Sequence, residues 1–329
     1  MADILNDVIL AFDKEAAVAK IAAGLKDFAR KARKRGIVVA LSGGIDSSVT
    51  SALCVKTFGR EKVFGLLLPE HDSSSESVRL GRRVAEHHGI EYTLQDIGPT
   101  LEAIGCYRWR DEAIKTAIPR YERGWKNKLV IAGGRHGVVN HFKIVVQAPD
   151  GSLLEETLGL REYLQIVAAT SYKQRLRKTV EYFHADRLNY AVAGTPNRLE
   201  YDQGFFVKNG DGSADVKPIA HLYKSQVYAL ARYLGLPAEI CSTTPTTDTY
   251  SLSQGQDEFY FALPYQKMDV ALWCFSNGRP ATELAAQLGV DVPTAESIYQ
   301  DIRAKRTTTA PLHWKPVLLE RVELEPYPF

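Results

Sequence analysis

The sequence predicts an α/β protein, a doubly wound parallel sheet with helices on both faces, carrying a β-hairpin insertion and a helical C-terminal segment. Two short, uniformly apolar runs, Gly36 to Leu41 and Val63 to Leu68, have the character of strands covered on both sides. Amphipathic stretches separate these and later runs, and that alternation implies right-handed crossovers between parallel strands. The Pro149-Asp150-Gly151 turn between two alternating stretches marks a hairpin outside this rhythm.

Taken in order, residues 4 to 34 form a helix or helix pair, with Val18, Ile21, Leu25 and Phe28 recurring at helical spacing. The first strand, 36–41, runs into Ser42 to Ser48 and then a helix to about Thr57. Residues 63–68 form the second strand, and Ser75 to His88 form a helix with Val78, Leu80 and Val84 on one face. Ile90 to Ile97 is a third strand. A long helix from about Tyr163 to Ala185 leads to a fourth strand, Leu188 to Ala193. After Pro218 a helix over Tyr223 to Leu234 is stopped by Gly235 and Pro237. The Thr/Ser-rich stretch from Ser242 onward has loop composition. Ala281 to Arg306 has helix–turn–helix rhythm, read as two packed helices because that spacing alone is common. An α/β domain over 1–275, with its insertion at about 128–158, is therefore expected, followed by a helical segment and tail at 276–329.

Length and composition bound the function. A chain of 329 residues, at roughly 150 residues per domain, buries most of its apolar surface without disulfides or structural metal. Lys and Arg total 41 against 39 Asp and Glu, a net charge of +2, which gives no electrostatic case for nucleic acid or membrane surface. The four cysteines are dispersed and the eight histidines lack metal-ligand spacing, so no zinc site or disulfide framework is suggested. The first 20 residues interrupt their apolar stretch with charge, unlike a signal peptide, and no run approaches a bilayer span. A cytoplasmic protein is expected.

The segment Ser42-Gly43-Gly44-Ile45-Asp46-Ser47-Ser48 lies where a buried strand turns into a helix. Glycines permit close backbone approach to a ligand, the helix presents unpaired N–H groups, and three hydroxyls add donors. Together they suit a phosphate or pyrophosphate group. Neither the G-x-x-x-x-G-K-[ST] loop nor the G-x-G-x-x-G fingerprint occurs here.

This loop resembles the S-G-G-x-D-S pyrophosphate loop of the ATP pyrophosphatase superfamily. Gly194-Thr195-Pro196-Asn197-Arg198-Leu199-Glu200, Gly204 to Asp215, Leu222 to Val227, Pro245 to Asp248, Gly255 to Glu258 and Lys305-Arg306 are similar, in that order, to motifs of the NAD synthetase family, ammonia-dependent type. The resemblance runs from about residue 15 to 310, with a gap over the insertion, and implies an adenine nucleotide alpha hydrolase-like fold. It implies an AMP-forming acid–ammonia ligase using ATP and Mg²⁺: a carboxylate, nicotinic acid adenine dinucleotide in this family, is adenylated and then attacked by ammonia. By the same resemblance, Ser42, Gly43, Gly44, Asp46, Ser47, Ser48, Arg175, Thr195, Lys224 and Thr246 meet ATP or its pyrophosphate. Asp46 and Glu200 hold the metal, and Lys208 and Asp211 handle the acid and the amine, so Asp46, Lys208, Asp211 and Lys224 form the catalytic set. From sequence alone, Glu200 and Lys224 also read as solvated charges and Gly210-Asp211-Gly212 as a plain turn.

Pro196, Leu199, the aromatic stretch after Glu258 and the insertion depart from the family pattern, so amidation of a different carboxylic acid is the alternative. A tRNA-thiolating enzyme needs a persulfide cysteine and a basic surface, which this composition does not offer; a non-catalytic nucleotide-binding module is the remaining reading. Ser242 to Glu258 is the candidate lid, since a reactive adenylate needs shielding from water. About 35 residues precede the first strand, fewer than a domain requires. Ammonia is then expected free or from a separate glutaminase subunit. The implied assembly is a homodimer.

Overall fold

The structure is a computed structural model, which describes residues 3–132, 141–243, 249–252, 255, 263–320 and 322. A π-helical turn over Leu5–Leu10 precedes α1 (Lys14–Lys31), β1 (Ile37–Ala40), α2 (Ile45–Phe58), β2 (Val63–Leu67), α3 (Ser75–His88) and β3 (Glu91–Leu94). Two helices, α4 (Gly98–Ala103) and α5 (Cys106–Ala117), lead to β4 (Lys126–Ala132), β5 (His141–Gln147) and β6 (Leu153–Thr157). Then come α6 (Leu160–Leu188), β7 (Ala191–Val192), α7 (Arg198–Gln203), α8 (Lys224–Tyr233), α9 (Ala238–Ser242), α10 (Tyr265–Ser276), α11 (Ala281–Leu288) and α12 (Val292–His313).

The main sheet is parallel, in the order β3-β2-β1-β7. Side chains alternate across a strand, and the two faces of β1 show it. Ile37 and Val39 pack with α1, α2 and α8 through Leu25, Val49, Leu53 and Val227. Val38 faces the other layer, where Phe64 and Leu66 of β2 meet Leu101, Cys106, Tyr107 and Ala185 of α4, α5 and α6. Helices therefore cover both faces, as the apolar runs required. The third strand is shorter than its sequence run, although Gln95 and Ile97 still donate to the carbonyls of Leu67 and Pro69. The fourth shrinks to Ala191–Val192 because α6 continues to Leu188 and stops at Asn189, in a left-handed conformation at φ 53°.

The insertion is larger than a hairpin. The expected turn joins β5 to β6, closed by Gly151 N–H to Ala148 O, with Gly151 at φ +86°. A third strand, β4, pairs with the other edge of β5 from Lys126↔Gln147 to Ala132↔His141. Leu129, Ile144 and Val146 seal this small sheet against Ile114 and Ile118 of the α5 region and Ile166 of α6. Five helices, α4, α5, α7, α9 and α10, stand where the sequence reading places none. The two C-terminal helices form as expected, and Leu284, Ala285, Ala295 and Ile302 share a core with Ile4, Ile9, Leu199 and the apolar face of α10. A bidentate pair from Arg306 to Asp202, at 2.6 and 2.7 Å, fastens α12 to α7.

Candidate active site

The C-terminal ends of β1, β2 and β7 open into a cleft of about 1200 Å³, the usual ligand position in an open α/β sheet. The Ser42–Ser47 bend forms one wall. Gly43 sits at φ +79°, and a Cβ there would lie 2.6 Å from the Ser77 carbonyl oxygen and 2.7 Å from Leu80 Cβ; the backbone conformation and the closeness of α3 both demand glycine. Ser47 and Ser48 donate to Gly44 O at 3.0 and 2.8 Å, and Ser42 Oγ lies 3.2 Å from Ser47 Oγ. Ser42, Gly43, Gly44, Asp46 and Ser47 line the cleft, whereas Ser48 is fully buried behind it.

Lys224, the first residue of α8, is 2% exposed and ion-pairs with Asp46 Oδ2. Burial opposes its charge, but Asp46 and Glu200 outweigh that and hold the ammonium above the ordinary lysine range. The solvated reading of this lysine is therefore overturned: α8 packs its N-terminus into the molecule. Asn197 joins the group, donating from Nδ2 to Asp46 Oδ1 at 3.1 Å and accepting from the N–H groups of Leu199 and Glu200. Glu200 Oε2 in turn accepts from Asn197 N–H at 3.1 Å, completing a capping box on α7. Asp46, Glu200 and Lys224 thus converge on one side of the cleft.

Beneath them, the fully buried Asp269 accepts from the N–H groups of Lys224 and Ser225 at 3.2 and 2.7 Å and so caps α8. Burial pushes its carboxyl up to about 7, against the opposing effect of these bonds. Between the ordinary value of 3.8 and about 7 the folded chain holds a proton that the unfolded chain has released. This group's contribution therefore lowers stability as pH rises through that window. Asp269→Asn, permanently neutral, is expected to gain stability relative to the parent across the same window and to plateau above it. Urea unfolding of both proteins as a function of pH checks this, and a difference independent of pH contradicts it.

Of the other anticipated residues, Thr195 and Asp211 line the cleft, and Asp211 Oδ1 accepts from Val207 N–H at 2.7 Å. Arg175 and Lys208 are absent from the lining. Arg175 Nε donates to Lys208 O at 3.3 Å, and Lys208 Nζ donates to Pro311 O at 3.0 Å on an exposed surface. Thr246 and most of the Ser242–Glu258 stretch lie outside the described residues.

Several site residues had no role in the sequence reading. Arg177 Nε donates to Leu68 O at 3.2 Å at the cleft wall. The buried pair Lys178–Glu181, 2.7 Å apart on α6, borders the cleft near Asp211. Asp301, Lys305 and Thr308 bring α12 to the cleft. Beside the cleft, Lys173 is 1% exposed and bonds Glu70 Oε1 at 3.1 Å, Asp72 and the Thr249 carbonyl at 2.8 Å. Arg110 pairs with the same Asp72. Burial would raise the Asp72 carboxyl, but Lys173 and Arg110 overcome it and hold it below the usual carboxylate range.

No group of three or more His, Cys, Asp and Glu side chains that could hold a metal ion is found among the described residues. Two carboxylates, Asp46 and Glu200, facing a phosphate-shaped bend do fit Mg²⁺, which takes few protein ligands and completes its shell with phosphate oxygens and water. No cysteine lines the cleft among the described residues, and burial pushes the thiols of Cys54, Cys106 and Cys274 up to about 12, 11 and 11. That is the opposite of what a persulfide carrier needs. No helix among the described residues is long and apolar enough to cross a membrane.

Known proteins match this chain in sequence and in fold. The family model described as NAD synthase matches residues 17–118 and 144–308. The NH(3)-dependent NAD(+) synthetase of Rhizobium meliloti is 55% identical over 315 residues, covering 95% of this chain and 94% of the relative. That of Mesorhizobium japonicum is 55% identical, covering 94% and 98%. Among solved structures, NMN synthetase from Francisella tularensis superposes with a TM-score of 0.66 at 22% identity, covering 93% of this chain and 98% of that one. The NH3-dependent NAD synthetase from Campylobacter jejuni gives 0.62 at 21% identity, covering 94% and 100%. At those identities the superpositions speak for the fold.

Proposed function

The chain belongs to the NAD synthase family, and on that premise we propose that it converts nicotinic acid adenine dinucleotide, ATP and ammonia to NAD, AMP and pyrophosphate. The observation that carries this reading is the meeting of the glycine-serine bend with Asp46, Asn197, Glu200 and the buried Lys224 in one cleft. The acid's carboxylate attacks the α-phosphorus of ATP, the bond to the β-phosphate's bridging oxygen breaks, and an acyl-adenylate forms. Ammonia then adds to the activated carbonyl and AMP leaves.

The protein works by alignment and charge stabilisation. Backbone N–H groups at the start of α2, with Ser42 and Ser47, receive the departing pyrophosphate. Lys224 is held charged by Asp46 and Glu200 and needs no reorganisation to face the phosphates. Asn197 fixes the orientation of Asp46. Asp46 and Glu200 would hold Mg²⁺, whose contribution when bound is to neutralise the charge of the leaving group. Asp211, at the rim of the cleft, stands ready to accept a proton from the incoming amine. Leu160 and Leu164, exposed one turn apart on α6, support a homodimer formed through that end of the helix.

The experiment is an incubation of the chain with ATP, Mg²⁺, ammonium and nicotinic acid adenine dinucleotide, measuring NAD, AMP and pyrophosphate. Equimolar formation of all three is expected. AMP formed with another acid but not with this one would transfer the same chemistry to a different substrate.

A further inference from the structure

One apolar core is built from both ends of the chain, and it reaches the site. Ile4 and Ile9 join α10, α11 and α12 around a cluster that also takes in Leu199 and Tyr223. Each of these last two immediately precedes a site residue, Glu200 and Lys224. From this core α10 touches α8 at two points, four residues apart on both helices. The Tyr265 ring stacks on Tyr228, a cleft-lining residue, with centroids 5.1 Å apart at 18°. One turn further along α10, Asp269 Oδ1 accepts from the Lys224 N–H at 3.2 Å and Oδ2 from the Ser225 N–H at 2.7 Å. Residues four apart share a helix face, so the two contacts fix one register between α10 and α8.

Lys224 is thereby held from two sides. Its ammonium pairs with Asp46 and its backbone is tied to Asp269. The first N–H groups of a helix have no partner within it, and buried ones need an acceptor; Asp269, itself fully buried, serves two of them, one per oxygen. A lysine stem is flexible, so a pairing at its tip alone leaves the start of the helix free to shift. Neither Asp269 nor Tyr265 lines the cleft, and neither touches the reacting groups. We propose that Asp269 is a positioning residue for the reaction: through the two capped N–H groups it fixes the start of α8 and so aims the Lys224 ammonium at the phosphates of ATP. Tyr265 on Tyr228 sets the same register one turn along. This inference rests on the phosphate role given to Lys224 in the proposed function.

The test is a double-mutant cycle on the full chain, with Asp269→Asn, Lys224→Met and the two combined. Asn keeps the volume but has one oxygen, and its NH₂ turns against the second N–H. Pyrophosphate release is measured with ATP, Mg²⁺, ammonium and nicotinic acid adenine dinucleotide, using ATP labelled in the γ-phosphate so that slow rates are read. Asp269→Asn is expected to lower kcat about tenfold or more, with the KM for the dinucleotide within about twofold. In the Lys224→Met background the same change lowers the residual rate less than about twofold, since no ammonium is left to aim. A general loss of folded protein would lower both backgrounds alike. The dissociation constant for ATP with Mg²⁺, read by calorimetry without the acid, follows the same pattern. If Asp269→Asn fails to fold, Tyr265→Leu runs the same cycle, with an expected loss of about threefold that again depends on Lys224. Equal losses in both backgrounds, or parental values in the single variant, would overturn the positioning role. A parent that releases no pyrophosphate with this acid, while the binding cycle holds, would sink the proposed function and support the positioning role.

Discussion

Asp46→Asn is expected to reduce pyrophosphate release by about 10²–10³-fold, the scale of losing one preorganised charge-stabilising group. The substitution preserves shape but removes the charge that pairs with Lys224 Nζ and would bind metal. It also strands a lysine that is 2% exposed, and breaking a buried pair from one side costs about 3–5 kcal/mol. Stability and catalysis are separable. In the double variant Asp46→Asn, Lys224→Met no buried charge is left unpaired, so much of the stability should return while turnover stays lost. A double-mutant cycle in urea unfolding and pyrophosphate release reads both quantities. Near-parental turnover in Asp46→Asn would contradict the roles given to this carboxylate.

Lys173→Met is the second large effect. Its ammonium lies between Glu70 and Asp72, whose side chains are 0% and 9% exposed, and also holds the Thr249 carbonyl. Removing it leaves the Asp72 carboxylate with Arg110, and Glu70 with Tyr107 Oη, which donates at 2.7 Å, and the Asp72 N–H, which donates at 3.0 Å. A loss of about 3–5 kcal/mol is expected at neutral pH. The sign with pH follows from Asp72, which the cations hold below its ordinary value. Its stabilisation is present above the unfolded pKa and disappears as pH falls through the folded one. Without Lys173 the Asp72 carboxyl protonates more readily, so the gap between parent and variant should narrow as pH falls toward about 5. Urea unfolding at both pH values checks this; a loss below about 1 kcal/mol at neutral pH would show that Arg110 alone suffices.

Much of the fold was legible because its signals are local. Uniform apolar runs gave β1 and β2, and Ser74 and Gly89 bound α3 where the periodicity placed it. The hairpin turn was visible in Pro149-Asp150-Gly151, but β4 was not, since its partner β5 lies beyond an intervening connection and pairing across it leaves no local mark. Helix α10 was hidden for a related reason: Met268 to Leu272 are buried without a break, so the helical period is masked at its centre. At the site, the bend announces itself by its residues, whereas Glu200 was reached only through family resemblance and its capping box with Asn197 was not read. The Lys173, Lys178 and Glu181 contacts leave no signal either, because a charged residue on a long helix reads as solvated until the helix is packed. Lys224 escaped that reading only through family resemblance.

The central claim is that the bend between β1 and α2 receives the β- and γ-phosphates of ATP while Asp46 and Glu200 share a metal beside them. The direct measurement is a crystal structure of the chain with a non-hydrolysable ATP analogue and Mg²⁺. Phosphate density within hydrogen-bonding reach of the Ser42–Ser47 backbone, with Mg²⁺ on both carboxylates, is the predicted result. A nucleotide bound in full elsewhere, with that bend holding only solvent, would contradict it.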